Sequence, residues 1–151
     1  MKIIAHRGNL NGPDLKSENK LDSIQECIDL NFDVEIDLWL KDNQLFLGHD
    51  FPQYEVDYDW LINRASNLWI HCKNLQAFSY IAQTAKLNFF WHQKDDYTLT
   101  SKGIIWAYPG QKTDENCIVV MPESFMEMRD LKLLKCFGIC TDYPIRASSL
   151  I

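Results

Sequence analysis

The feature that most constrains this chain is a succession of short apolar runs, the first of them separated by helical patterns, compressed into 151 residues. KIIAH (2–6) is the first run. It breaks into the polar loop RGNLNGPDLKS, after which Leu21, Ile24, Cys27 and Ile28 recur at helical spacing, with Ser17 as a candidate N-cap. FDVEIDLWL (32–40) follows as a second strand. Asp42-Asn43 is a turn signal, and QLFLGHD (44–50) returns as a hairpin partner. LWIHCKN (68–74) is the next strand and LQAFSYIAQTAKLN the next helix. NFFWHQ (88–93), GIIWAYPG (103–110), CIVVMPE (117–123) and FGICTDYP (137–144) complete seven principal strand candidates, with a short helix expected over 124–135 behind Ser124. Strands alternating with helices imply βα units and parallel pairing. A full (β/α)8 barrel needs at least about 200 residues. The expected fold is therefore α/β: one domain over 1–151, a compact, shortened TIM-type (β/α) barrel with several crossover helices reduced to loops. The connection between NFFWHQ and GIIWAYPG falls below the roughly 10–12 residues that a helical crossover requires.

Composition narrows the function. A net charge of −6 argues against a nucleic-acid binder, because a phosphate backbone calls for a basic surface. Five cysteines (27, 72, 117, 136, 140) form no CxxC pair, and several sit in apolar runs. They read as reduced buried thiols in a cytoplasmic protein. The N-terminal apolar stretch is too short for a signal sequence, and no run is long enough to span a bilayer.

In a parallel barrel, functional side chains gather at the C-terminal ends of strands. His6-Arg7 closes the first strand and His49 ends the hairpin. His71 and Lys73, two apart, end the third strand. Trp91, His92 and Gln93 end the fourth, Trp106 and Tyr108 the next, and Asp142 the last. Asp33, Glu35 and Asp37 alternate with apolar residues and share one strand face. Alone, such a face is more often wet than functional. Trp39, Trp60 and Trp69 read as packing residues. Trp106 and Tyr108 are candidates for the walls of a substrate pocket, and His92 has no assigned role.

The ordered set AHRG, then SEN, then VEIDLWLKDNQLFLGHD, with CTDYP near the end, resembles the glycerophosphodiester phosphodiesterase family. That family belongs to the TIM-barrel phosphodiesterases related to phosphatidylinositol-specific phospholipase C. The strong part of the resemblance covers about the first 50 residues. It implies metal-dependent hydrolysis of a small phosphodiester linked to glycerol or a sugar. Glu35 and Asp37 would hold a divalent cation, Mg²⁺ or Ca²⁺, whose hardness suits carboxylate oxygens. His6 and His49 would form the acid–base pair, Arg7 and Lys73 would hold phosphate oxygens, and Glu18 would play a supporting part. One departure stands out. Where the family places an acid on its third strand, this chain has His71, which brings Mn²⁺ into consideration. The alternatives are a degenerate barrel that binds a phosphate ligand without turnover, and an α/β domain whose rim serves a protein partner.

Overall fold

The computed structural model describes residues Met1–Ile151. Ten strands and four short helices run in the order β1 (Lys2–His6), α1 (Leu21–Asp29), β2 (Asp33–Lys41), β3 (Gln44–Leu47), β4 (Tyr54–Glu55), α2 (Tyr58–Asn63), β5 (Leu68–Cys72), α3 (Leu75–Ile81), β6 (Asn88–Phe90), β7 (Tyr97–Leu99), β8 (Ile105–Ala107), β9 (Cys117–Val120), β10 (Gly138–Thr141) and α4 (Pro144–Ser148). Seven strands pair in parallel in the spatial order β6-β5-β2-β1-β10-β9-β8. Three antiparallel additions complete one mixed sheet: β3 on the end of β2, β4 on β3, and β7 on β8. The sheet curls into a half-barrel. Strands β6 and β8 do not pair. The segment 98–101 lies between them, and its Ser101 N–H donates to the Phe89 carbonyl at 2.8 Å while Thr98 Oγ1 donates to that of Trp91 at 2.8 Å.

Strand alternation divides the side chains cleanly. Val34, Ile36, Leu38, Leu68 and Ile70 point outward, where α1, α2 and α3 cover them with Ile24, Leu61 and Ile81. Each such fully buried side chain contributes about 1.5–3 kcal/mol of transfer free energy. Val119 and Ile139 do the same beneath Met128, Leu131 and Ala147. The inner face carries a separate cluster of Ile4, Trp69, Phe90, Trp106, Ile118 and Cys140, drawn from six parallel strands. Trp106 stacks on Phe90 at 4.6 Å between ring centres and lies 6.0 Å from Trp69. The bulky rings let so few strands fill their own interior. Asp33 sits at the bottom of this inner face, not on a wet one. Its carboxylate takes Lys2 Nζ at 2.6 Å and the Trp69 indole N–H at 2.9 Å.

Several expected elements move. Helix α1 starts at Leu21, and Ser17 does not cap it; the Ser17 hydroxyl bonds Asp14 Oδ2 at 2.8 Å instead. Asn19, in the left-handed region at φ 60°, interrupts the helical backbone ahead of Leu21. The expected helix over 124–135 resolves into two 3₁₀ turns, Pro122–Ser124 and Met128–Leu133. Helix α3 ends at Ile81, and the fourth strand ends at Phe90. Strands β4 and β7 and helices α2 and α4 have no counterpart in the sequence reading. No helix is long and apolar enough to cross a membrane. All five cysteines are free.

Candidate functional site

A cavity of about 570 Å³ opens at the C-terminal ends of the parallel strands. His6, Arg7, Glu35, Asp37, His49, His71, Lys73 and Trp106, all singled out from the sequence, line it together. Pairing register explains the convergence. His6 lies opposite Glu35 across β1 and β2, and Asp37 lies opposite His71 across β2 and β5. Glu18 sits just behind, joined to the Arg7 guanidinium at 3.1 Å. Trp106 is only 6% exposed, and its ring is committed to the inner stack, so it serves as floor more than as a binding face.

The two strand carboxylates are held by one oxygen each. Glu35 Oε2 accepts from the Arg7 backbone N–H at 3.2 Å. Asp37 Oδ2 accepts from the Asn19 amide at 3.0 Å and lies 3.3 Å from Arg7 Nε. Their second oxygens face His71, whose Nδ1 is 3.9 Å from Glu35 Oε1 and 3.2 Å from Asp37 Oδ1. The ligand atoms of Glu35, Asp37 and His71 all fall within 4.8 Å of one another. Asp37 is 1% exposed, yet its Oδ1 makes no aligned hydrogen bond, although Lys73 Nζ stands at 3.3 Å. A buried carboxylate oxygen left in that state, facing a second acid and an imidazole nitrogen, fits a cation.

The electrostatics agree with the geometry. Burial and the neighbouring Asp37 charge raise the pKa of Glu35. Burial also works against ionised Asp37, but His71, Lys73 and Arg7 overcome it and hold that carboxyl well below the usual range.

The two candidate acid–base histidines sit in contrasting surroundings. His6 Nδ1 donates to Asp142 Oδ1 at 2.8 Å, because a carboxylate can only accept, and this sends Nε2 toward Glu35 at 4.0 Å. Burial lowers the His6 pKa, but the Asp142 hydrogen bond and the Glu35 charge outweigh it, and the net shift is upward. His49 follows Gly48 on the loop after β3 and bonds Asp50 through Nδ1 at 2.8 Å. Burial lowers its pKa, with Arg7 and Lys73 adding to the shift against the pull of Asp37. One imidazole is thus biased toward its protonated form and the other toward its neutral form.

Three residues with essential contacts went unassigned in the sequence reading. Asn9, 2% exposed, bridges Glu18 and Asp142. Asn19, fully buried, pairs with both the backbone N–H and the carboxylate of Asp37. Asp142 orients His6. Asp142, at the end of the last strand, and Asn19, inside the SEN motif, each carried a signal; Asn9 lies in a polar loop that gives none. His92 also gains a place: its carbonyl accepts from His71 Nε2 at 3.0 Å. Two residues lining the cavity, Arg7 at 52° and Met121 at 49°, have positive φ, as does Asn19 at 60° behind Asp37. Such backbone strain concentrates where function fixes side-chain direction. Comparisons with protein-family models, curated proteins and solved structures gave no match.

Proposed function

We propose that the protein is a metal-dependent phosphodiesterase acting on a small diester linked to glycerol or a sugar, and that the half-barrel is a shortened TIM-type barrel. The observation that carries this reading is the convergence of two acids, two oppositely biased histidines and two fixed cations on one cavity. A divalent cation held by Glu35, Asp37 and His71 would polarise a phosphoryl oxygen and orient the diester. Arg7 and Lys73 would offset the charge that builds on the phosphoryl oxygens. His6, whose protonated form Asp142 favours, would donate a proton to the leaving alkoxide. His49, shifted toward its neutral form, would accept the proton of the attacking hydroxyl, whether from water or from the substrate itself. Opposed pKa shifts on paired groups are the usual signature of such a division of labour. Acidic net charge suits a small anionic substrate better than a polynucleotide, and the free cysteines suit a reducing cytoplasmic setting.

The test is hydrolysis of a generic aryl phosphodiester by chelator-stripped protein, with Mg²⁺, Mn²⁺, Zn²⁺ or Ca²⁺ returned singly. Turnover that needs a cation and disappears in both Glu35→Gln and His6→Ala is the expected result. No turnover with any of the four ions overturns the enzymatic reading. Retained binding of a phosphate ligand would then place the protein with non-catalytic phosphate-binding barrels.

A further inference from the structure

We infer that His71 makes this a mixed nitrogen–oxygen site selective for a first-row transition dication such as Mn²⁺ or Zn²⁺ over Mg²⁺ and Ca²⁺. The inference rests on the reading that the cluster takes a cation, and it narrows which cation. Three observations carry it.

The first is the direction of the imidazole. His71 Nε2 lies 3.0 Å from the His92 carbonyl. A carbonyl cannot donate, so Nε2 carries the proton, and a neutral His71 has its bare lone pair on Nδ1. That lone pair looks at Glu35 Oε1 and Asp37 Oδ1. Stacking on Phe90 at 5.2 Å, with the ring planes 4° apart, holds the ring in this orientation. A backbone carbonyl that fixes the tautomer and aims the other nitrogen is the usual outer support of a metal-binding histidine.

The second is the number of oxygens on offer. Glu35 has committed Oε2 to the Arg7 N–H, and Asp37 has committed Oδ2 to Asn19. Each acid thus has one oxygen already engaged by a donor and one turned toward His71. Ca²⁺ takes 6–8 oxygens, often with a bidentate carboxylate, and Mg²⁺ takes six ligands, almost all oxygen. One nitrogen beside two carboxylate oxygens makes a mixed donor set, in which the imidazole favours a transition dication over the all-oxygen ions.

The third is charge. Arg7 Nε and Lys73 Nζ stand 3.3 Å from the two oxygens of Asp37. These cations weaken the purely electrostatic attraction on which Mg²⁺ and Ca²⁺ depend. A nitrogen–metal bond of partly covalent character is less sensitive to them.

Isothermal titration of chelator-stripped protein with each of the four metal chlorides tests the inference without reference to turnover. Wild type should bind Mn²⁺ and Zn²⁺ with a preference over Mg²⁺ at least about tenfold larger than in His71→Gln, which keeps a neutral polar side chain but loses the nitrogen. Pulsed electron paramagnetic resonance of the Mn²⁺ complex should show nitrogen-14 coupling in wild type and none in the variant. Equal selectivity in the two proteins, an absent nitrogen signal in wild type, or Mg²⁺ or Ca²⁺ bound as tightly as Mn²⁺ would each overturn it. The spectroscopic arm uses wild type alone, so it stands even if the variant fails to fold. Selective nitrogen-coupled binding without hydrolysis would remove the phosphodiesterase reading and leave this one. Hydrolysis with Mg²⁺ bound as tightly as Mn²⁺ would do the reverse.

Discussion

Replacing Gly48 by alanine should detach the His49 function from the cation site. Gly48 has φ 148°, and a Cβ built on it would lie 2.3 Å from the Phe51 carbonyl oxygen and 2.9 Å from Gln53 Oε1. Side-chain carbons do not approach closer than 3.0 Å, so the loop must open by about 0.7 Å or hold the strain. Held strain at such a backbone costs roughly 1–3 kcal/mol. At about 2–4 °C per kcal/mol for a chain of this size, that means a melting temperature lower by up to roughly 10 °C. Released strain moves His49, because Gly48 is tied to β2 twice, through its N–H to the Asp37 carbonyl at 3.1 Å and through its own carbonyl to the Trp39 indole at 2.6 Å. A displacement approaching 1 Å of a proton-transfer group costs on the order of 100-fold in rate. Cation affinity should stay within about threefold, since no ligand moves. Thermal melting, diester hydrolysis and an NMR titration of His49 together decide the matter. Burial holds the His49 pKa low, so a displaced ring should titrate closer to the ordinary histidine value. A variant with melting temperature within about 1 °C of wild type, rate within twofold and unchanged titration would refute the argument.

Other perturbations have equally definite outcomes. In Asp142→Asn, the negative charge that favours the His6 imidazolium is gone, so the His6-linked limb of the pH–rate profile should move to lower pH; an unmoved limb would dissociate the pair. The same substitution should flatten acid unfolding. The Asp142 carboxyl has a native pKa below its ordinary 3.8, so its stabilisation is present above that pH and lost as pH falls through the native value, and acid titration of wild type and variant by circular dichroism measures the difference. Asn19→Ala leaves both the Asp37 N–H and Oδ2 short of a partner and should cost about 2–4 kcal/mol in urea unfolding while weakening cation binding. Asp33→Ala strands the Trp69 indole N–H and should lower stability by about 1–3 kcal/mol with catalysis unchanged; a loss of rate would mean that the floor of the cavity is coupled to its mouth.

Much of this arrangement is legible in the chain because strand alternation is a strict rule. Once VEIDL is a strand, Glu35 and Asp37 share a face, and HCK places His71 and Lys73 on the corresponding face of its neighbour. The inner face near β6 to β8 was harder. Strand β7 has three residues and pairs with β8 alone, so it leaves too short a pattern to read. The start of α1 departs from the helical pattern for a different reason. Asn19 belongs to the SEN motif and looks like a first-turn residue, but its bonds to Asp37, eighteen positions on, show that it serves the site rather than the helix. Asp33 fits a wet strand in isolation; Lys2 and Trp69, from two other strands, are what make it a buried anchor.

The pairing of β1 with β10 has a consequence for how the molecule comes to work. His6 and Asp142 are 136 residues apart and meet only where these two strands lie side by side. Bringing such distant segments together carries the largest loop-closure cost in the chain. Glu35, Asp37 and His71, by contrast, lie within 36 residues of one another on the adjacent strands β2 and β5, so their loop-closure cost is much smaller. The His6 imidazole acquires its orientation only where the last strand docks on the first, whereas the Glu35–Asp37–His71 cluster depends on β2 and β5 alone, so damage at the C-terminal strand should disturb the histidine while sparing the cluster.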